Sequence, residues 1–429
     1  HTSAQGLILL KSGEPRLMKV MSYKLLYLSS TEWGNLGRRK VRLAHELARQ
    51  DGVAAVFFVN PPVATSVLDW VRGRWLPSHL AANRAARRDA LLARVRRVDE
   101  RLWLGTGSTK TVPLTRHPRL QRSVVLNRLN YDLYYAALGR RLRQLPGDDV
   151  ILWLSHPLQA GALERFPERR LAAFDWTDDW AQYSQLPVQD RSELEAATLR
   201  VLRGVDVVLA VSESLRARAA AVNPGARLAP NATDFDLLSQ SLDGMRPEAP
   251  ELRALPRPRL GYVGQIGENI DYALIRAAAE AAPGWSFVFV GPVWATRQAE
   301  VDALQRLPNV RFLGGRPHAQ LPNYLRGFDV CWMPHLCNAL TASMDPTKLY
   351  DYLASGRPIV STPVAGTERF SELVRFGNTA SELLAEAENA RHENDSVAKL
   401  RLAKARQNSW PVRAREIWST LKEAAESQP

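Results

Sequence analysis

The sequence predicts an α/β protein made of two doubly wound, Rossmann-like domains. Three observations carry that expectation. The chain has 429 residues, too many for one ordinary core and enough for two domains of roughly 150 to 200 residues each. Short apolar runs alternate with helical stretches in both halves, the pattern of parallel sheets covered on both faces. Between the halves lies a stretch without periodicity, 243–258, punctuated by Pro247, Pro250, Pro256 and Pro258, which reads as a linker.

The elements follow in order. An apolar run at 24–29 ends in a polar, glycine-containing loop, 30–37, then a helical stretch at 39–49 and a second run at 53–59. Strand, helix, strand is a βαβ opening. Buried-strand runs recur at 150–154, 171–174 and 205–211. Beyond the linker the alternation restarts: strand 259–263, helix 272–281, strands 285–290 and 310–313, helix 321–327, strand 330–333, helix 347–354 and strand 358–361. Helices are expected at 380–393 and 411–425, the last with Val412, Ile417, Trp418 and Leu421 spaced along one face. The expected organisation is a leader at 1–21, an N-terminal domain at 22–245, a linker at 246–258, a C-terminal domain at 259–405, and a closing helix at 406–429 that packs back on the first domain.

Composition narrows the class. Hydrophobic residues make up 45% and charged residues 24% of the chain, and no apolar run approaches the roughly 20 residues of a membrane span. The run 6–10 is too short for a signal-peptide core and lacks a basic lead. Cys331 and Cys337 are the only cysteines, so neither a disulfide framework nor a zinc site is supported, and the compartment reads as reducing. The net charge of +13 is concentrated: between Trp70 and Arg143, 16 arginines and Lys110 face Asp89, Asp99, Glu100 and Asp132, which accounts for the whole excess. Trp70, Trp75, Leu80, Leu91, Leu92, Val95 and Val98 interleave with Arg84, Arg87, Arg88, Arg94, Arg96 and Arg97. Such a pattern suits an amphipathic basic helix on an anionic membrane surface and equally a solvated helix face; nucleic acid is not expected as a partner.

The most informative stretch is 343–361, which packs a helix start, a helix, a terminating glycine and a strand into nineteen residues. Asp345 reads as the N-cap and Pro346 as the first helical residue. The free N–H groups of such a first turn make an anion site. Lys348 adds a cation there, against the helix dipole, and so is easier to explain with a bound phosphate. Asp351, one turn on, can accept hydrogen bonds from a ribose diol, and Gly356 ends the helix. The bland alternative is a capped helix packed on its sheet, with Lys348 and Asp351 a solvated pair.

This passage resembles the donor-binding helix of GT-B glycosyltransferases, in which a Pro-x-Lys-x-x-Glu-Tyr-Leu-Ala-x-Gly-x-Pro-Val-Val pattern holds the nucleotide diphosphate and ribose. Asp351 stands where that family usually has Glu, and Ser343 stands eight positions earlier where retaining members carry a second Glu. Retention of anomeric configuration is therefore not carried over. The loop Gly261–Gly267 followed by Asp271, and the segments 289–292 and 309–314, resemble the family's first donor-domain strands; here Gln265 replaces a usual Arg and no Lys is near. In the first half, 210–215 and 230–235 resemble the family's strand–serine–helix and its Asn-Gly-Val-Asp-type return, with Ala232 in place of Gly. The segments 153–157 and 174–180 are similar to bacterial cell-surface polysaccharide transferases of the teichuronic-acid and xanthan glucuronosyl kinds.

The resemblance implies a GT-B fold, two Rossmann-like domains facing across a cleft. It implies transfer of a sugar from a nucleotide diphosphate, uridine being favoured, to a saccharide or lipid-linked acceptor in cell-surface polysaccharide or glycolipid synthesis. Gly264, Gln265, Ser343, Met344, Asp345, Thr347, Lys348 and Asp351 are the candidate donor residues. Asp175, Asp178 and Asp179, at the carboxyl end of a strand, are candidate bases, and His156 joins them as a catalytic candidate, each balanced by a turn- or cap-stabilising reading. Gly34, Arg38, Trp180 and His335 are candidate acceptor or sugar contacts, with Trp176 and Asn338 considered beside them. No cofactor beyond the donor substrate and no metal is expected. The expected location is cytoplasmic, peripheral at the inner face of the plasma membrane through residues 70–143. The alternatives are a nucleotide-sugar epimerase on the same scaffold and a non-enzymatic binder of anionic surfaces or nucleic acid.

Overall fold

The computed structural model describes residues 21–34, 39–60, 95–105, 124–182 and 188–428, without side chains for 124–132 and 188–190. The first half holds β1 (Tyr23–Leu28), α1 (Arg39–Leu47), β2 (Val53–Val59), β3 (Arg96–Asp99), β4 (Leu102–Gly105), α2 (Val124–Leu142), β5 (Asp149–Leu154), α3 (Ala162–Arg165), β6 (Leu171–Trp176), α4 (Val188–Gly204), β7 (Val207–Ala210), α5 (Glu213–Ala220) and β8 (Ala226–Leu228). They form one sheet in the order β3-β4-β2-β1-β5-β6-β7-β8, every neighbouring pair parallel except β3 with β4. The central strands are apolar at almost every position because helices cover both faces, and two separate cores result.

The second half continues with α6 (Phe235–Leu238), β9 (Arg259–Val263), α7 (Tyr272–Ala281), β10 (Ser286–Val290), α8 (Gln298–Leu304), β11 (Val310–Gly314), α9 (Leu321–Gly327), β12 (Val330–Met333), α10 (Thr347–Ser355), β13 (Ile359–Ser361), β14 (Arg375–Phe376), α11 (Ala380–Arg391), α12 (Asp395–Gln407) and α13 (Trp410–Glu426). Its sheet runs β11-β10-β9-β12-β13-β14, parallel throughout. α7 shows how locally these elements are specified: the Asp271 side chain accepts from Leu274 N at 2.9 Å, and Leu274, Ile275, Ala278 and Ala279 bury one face. The two sheets are the GT-B arrangement of paired Rossmann-like domains.

Two expectations need correction. The chain leaves the first domain before 246–258, since Phe235 and Leu238 already lie in a core of the second domain, as do Ala249 and Leu252. The proline-rich stretch is a strap on that domain, tied by Arg259–Glu248 and Arg257–Asp329 ion pairs. Prolines marked irregular backbone there, not a boundary. The basic amphipathic helix also fails where it can be seen. Residues 96–99 form a strand antiparallel to β4, with the Arg97 guanidinium 5.6 Å from the Trp103 ring centroid. The rest of that expected helix, 70–94, and the basic residues at 106–123 lie outside the described residues.

α13 returns to the first domain, burying Trp410, Ala414, Ile417, Trp418, Leu421 and Ala425 in its core. The two crossings pair with each other: Thr233 N donates to Asn408 O at 3.0 Å, and Trp410 N donates to Thr233 O at 3.1 Å.

Candidate active site

The second sheet changes winding direction between β9 and β12, so the crevice past their carboxyl ends is where such a sheet collects ligands. Gly264 follows β9 there with φ +141°, a conformation that favours glycine. A Cβ on it would lie 2.2 Å from Lys348 Cε. The glycine thus clears the path of the lysine, whose Nζ sits 5.1 Å from the Tyr262 ring centroid. The Tyr262 hydroxyl donates to Gln265 O at 2.7 Å, and the Gln265 side chain is exposed.

α10 begins one residue later than its sequence suggests. Pro346, not Asp345, is the cap position, and no side chain caps the first turn. Asp345 is occupied elsewhere: its carboxylate accepts from Asn231 N at 2.5 Å, from the Tyr350 hydroxyl at 2.9 Å and from Arg369. Its carbonyl accepts from Asn231 Nδ2 at 2.6 Å. Asp345 therefore joins the domains, and the Thr347 and Lys348 N–H groups stay available for an anion, Leu349 N donating to Pro346 O at 3.0 Å. Gly356 ends the helix in the left-handed conformation, φ +67°.

Lys348 is half-buried and forms no ion pair among the described residues. Burial pushes its ammonium down to about 8, with Asp351 pulling the other way. Asp351, one turn on, is also half-buried, and burial pushes its carboxyl up to about 6. It accepts from Thr233 Oγ1 at 2.8 Å. Ser343 is buried, its carbonyl accepting from Ser212 Oγ of the first domain at 2.8 Å, while Met344 and Thr347 are half-buried at the helix start. His335 is 1% exposed. Its Nε2 lies 3.2 Å from Asn269 Nδ2, Nδ1 has no partner, and burial together with Lys348 holds the imidazole well below its ordinary range. A ring so enclosed has no face for a sugar, which corrects the expected contact. Asn338 is exposed and closes a turn with Thr341.

The first sheet changes direction between β1 and β5. Gly34, exposed with φ +129°, lies in the loop after β1; Arg38 lies outside the described residues. After β5, His156 Nδ1 accepts from Leu158 N at 3.2 Å, so the proton of the neutral ring sits on Nε2. Burial, and next the Lys40 charge, push this imidazole down to about 4. In the neutral ring Nε2–H is then the free donor of His156. Its ring lies 4.7 Å from that of Trp180, and Lys40 Nζ is 5.9 Å from the Trp180 centroid while donating to Thr177 Oγ1 at 3.3 Å.

β6 brings the three acids together and gives each a different setting. Asp175 is fully buried and paired with Arg39 at 2.8 Å. Asp179 is paired with Arg218. Each of these two carboxylates is thus held beside a guanidinium. Asp178 is half-buried, accepting from Thr177 Oγ1 at 2.8 Å. Trp176, considered above for stacking, is in the core with Arg218 5.1 Å from its ring centroid.

Residues 257–401 match the family model described as "Glycosyl transferases group 1". This matched stretch lies in the half of the chain that carries the candidate donor crevice. TuaH of Bacillus subtilis (strain 168), assigned as a teichuronic acid biosynthesis glycosyltransferase, is 25% identical over 263 residues, a match covering 57% of this chain and 65% of TuaH. The chain thus spans less than two thirds of that relative's length. Sucrose-phosphate synthase from Thermosynechococcus elongatus is similar in structure, with TM-score 0.63 and 16% identity over 95% of this chain and 100% of that one. Anabaena Alr3699/HepE, in complex with UDP and glucose, matches with TM-score 0.56 and 16% identity over 94% and 99%.

Of the candidate donor residues named from sequence, Ser343, Met344, Asp345, Thr347, Lys348 and Asp351 lie at or near the start of α10, and Gly264 faces Lys348 from the loop after β9. What the sequence did not single out are the residues that tie the halves together: Arg39, Asn231 and Thr233. Arg39 donates to Asp175, Pro230 O and Ala229 O, and at 3.3 Å to Asn231 Oδ1. Asn231 passes the link to Asp345. The return motif at 230–235 was legible, but the partners of its Asn231 and Thr233 side chains in the second domain lie more than a hundred residues away.

Proposed function

We propose that this chain transfers a sugar from a uridine nucleotide sugar to a hydroxyl of a saccharide or lipid-linked acceptor. The observation that carries the reading is the uncapped first turn of α10 with Lys348 in it and Asp351 one turn on, beside Gly264 at the direction change of the sheet. HepE in complex with UDP and glucose supports the choice of uridine, and TuaH supports a cell-surface saccharide as product. In the transfer, the acceptor oxygen bonds to the anomeric carbon as that carbon's bond to the diphosphate oxygen breaks. The leaving pair departs on the nucleotide, and the hydroxyl proton must go to a base.

Lys348 and the first-turn N–H groups would stabilise the charge that grows on the diphosphate, and Asp351 would accept from the ribose. Among the three acids we assign the proton to Asp178, which is half-buried and directly follows Thr177, in an inverting transfer. His156 would donate from Nε2 to a sugar oxygen, with Trp180 beside it as a stacking face. The basic stretch 70–143 would hold the enzyme at an anionic inner leaflet; no described helix is long and apolar enough to cross a membrane. UDP release from a panel of UDP-sugars, with saccharide or lipid-linked acceptors present, tests the reading. Asp178→Asn should slow turnover by about 10²- to 10⁴-fold, the usual worth of a general base, with UDP affinity kept. Full activity in that variant would remove the assignment.

A further inference from the structure

We infer that Thr233 is a positioning residue of the donor site, holding the Asp351 carboxylate in place for the ribose from the strand on which the chain crosses between domains. The inference rests on the donor-site reading above. Thr233 is fully buried, and its backbone is fixed on both sides, N–H to Asn408 O and carbonyl from Trp410 N. Buried threonine hydroxyls commonly bond to nearby backbone. This one reaches into the other domain and donates to Asp351 Oδ1 at 2.8 Å.

Asp351 is half-buried, and its Oδ2 makes no hydrogen bond among the described residues. With one oxygen tied, the carboxylate has lost its rotation before a ligand arrives, and the other oxygen is aimed in advance. Two features of the sequence meet here. Asp351 is one methylene shorter than the Glu of the pattern it resembles, and Thr233 sits where the return motif quoted above has an apolar Val. A hydroxyl on the crossing strand supports a shorter acid. Because Thr233 on the outgoing crossing is paired with the return crossing at 408–410, the donor carboxylate is referenced to the relative position of the two domains, not to its own helix alone.

The charged and titratable groups that act on Asp351 are His318, Asp234 and Lys348, with Arg42 paired to Asp234 at 2.9 Å. Thr233 adds a donor that favours the ionised carboxylate. UDP-glucose is the probe, since its diphosphate does not titrate between pH 5 and 9, and its affinity is measured by calorimetry across that range. Wild type should lose affinity as pH falls through the Asp351 titration. In Thr233→Val that acidic limb should move up by about one pH unit, the equivalent of one ordinary hydrogen bond, and Thr233→Ser should return it. Thr233→Ala gives the same reading should the valine variant fold poorly. An acidic limb unmoved in the valine and alanine variants, or moved and not restored by serine, overturns the inference. Failure of the donor-site reading has a different signature: wild-type affinity that does not depend on Lys348.

Discussion

Replacing Lys348 with alanine removes the one cation that the donor crevice offers in the first turn of α10. Its Nζ rests over Tyr262, without an ion-pair partner among the described residues, while the loop after β9 presents Gln265 and no cation. A charge-assisted contact to a diphosphate is worth about 1.5 to 3 kcal/mol, so UDP affinity should fall about 10- to 150-fold. The pH dependence sharpens the test. Burial lowers this ammonium to about 8, so the cation is present below that pH and lost above it. Roughly nine tenths of the free protein carries the charge at pH 7 and one tenth at pH 9, which predicts a wild-type affinity falling by up to about tenfold over that interval. Binding of the diphosphate raises the lysine pKa and moves this limb upward without changing its sign. Calorimetric titration of UDP at pH 7, 8 and 9 reads both effects. In Lys348→Ala the pH limb should vanish together with the affinity. A variant that binds UDP as tightly as wild type, or keeps the alkaline limb, refutes the phosphate assignment.

Other substitutions probe the supports of the site. Gly264→Ala places a methyl 2.2 Å from Lys348 Cε at φ +141°, so it should cost about 1 to 3 kcal/mol of stability and weaken UDP binding by displacing the lysine; urea unfolding and calorimetry report the two separately. Asp175→Ala leaves the Arg39 guanidinium buried beside an empty place. The expected cost is about 3 kcal/mol, visible as a lower urea midpoint, whereas an unchanged midpoint would show the pair to be dispensable. Trp418→Ala removes a ring packed edge-on to Tyr23 at 5.6 Å and a 2.8 Å bond to Asp51 O. It should cost about 3 to 5 kcal/mol, and a loss under 1 kcal/mol would mean that α13 does not secure the first domain.

Local chemistry made much of this fold legible. β2, β9, β12, α7 and α9 fall where apolar runs and spacing put them, because each is specified by residues inside it. α10 and its Gly356 terminus were readable for the same reason. The departures arise where a distant residue outbids a local rule. Asp345 is a good N-cap by type, but Asn231, Tyr350 and Arg369 claim its carboxylate. α12 went unread since it is polar nearly all round, burying only Arg401 and Ala405. β3 is a polar edge strand whose arginines resembled a helix face until β4 supplied its partner. In the site, Lys348 and Asp351 were named from one helix. The settings of Asp175, Asp178 and Asp179 depend on Arg39, Thr177 and Arg218, which only the folded chain assembles.

The central claim is a uridine diphosphate site at the start of α10, and a thermal-shift panel with uridine, guanosine, adenosine and thymidine diphosphates tests it most directly. A ligand at about a hundred times its dissociation constant stabilises the fold by roughly 2.7 kcal/mol. Selective stabilisation by uridine diphosphate, lost in Lys348→Ala, is the predicted result; no shift with any of the four would contradict it.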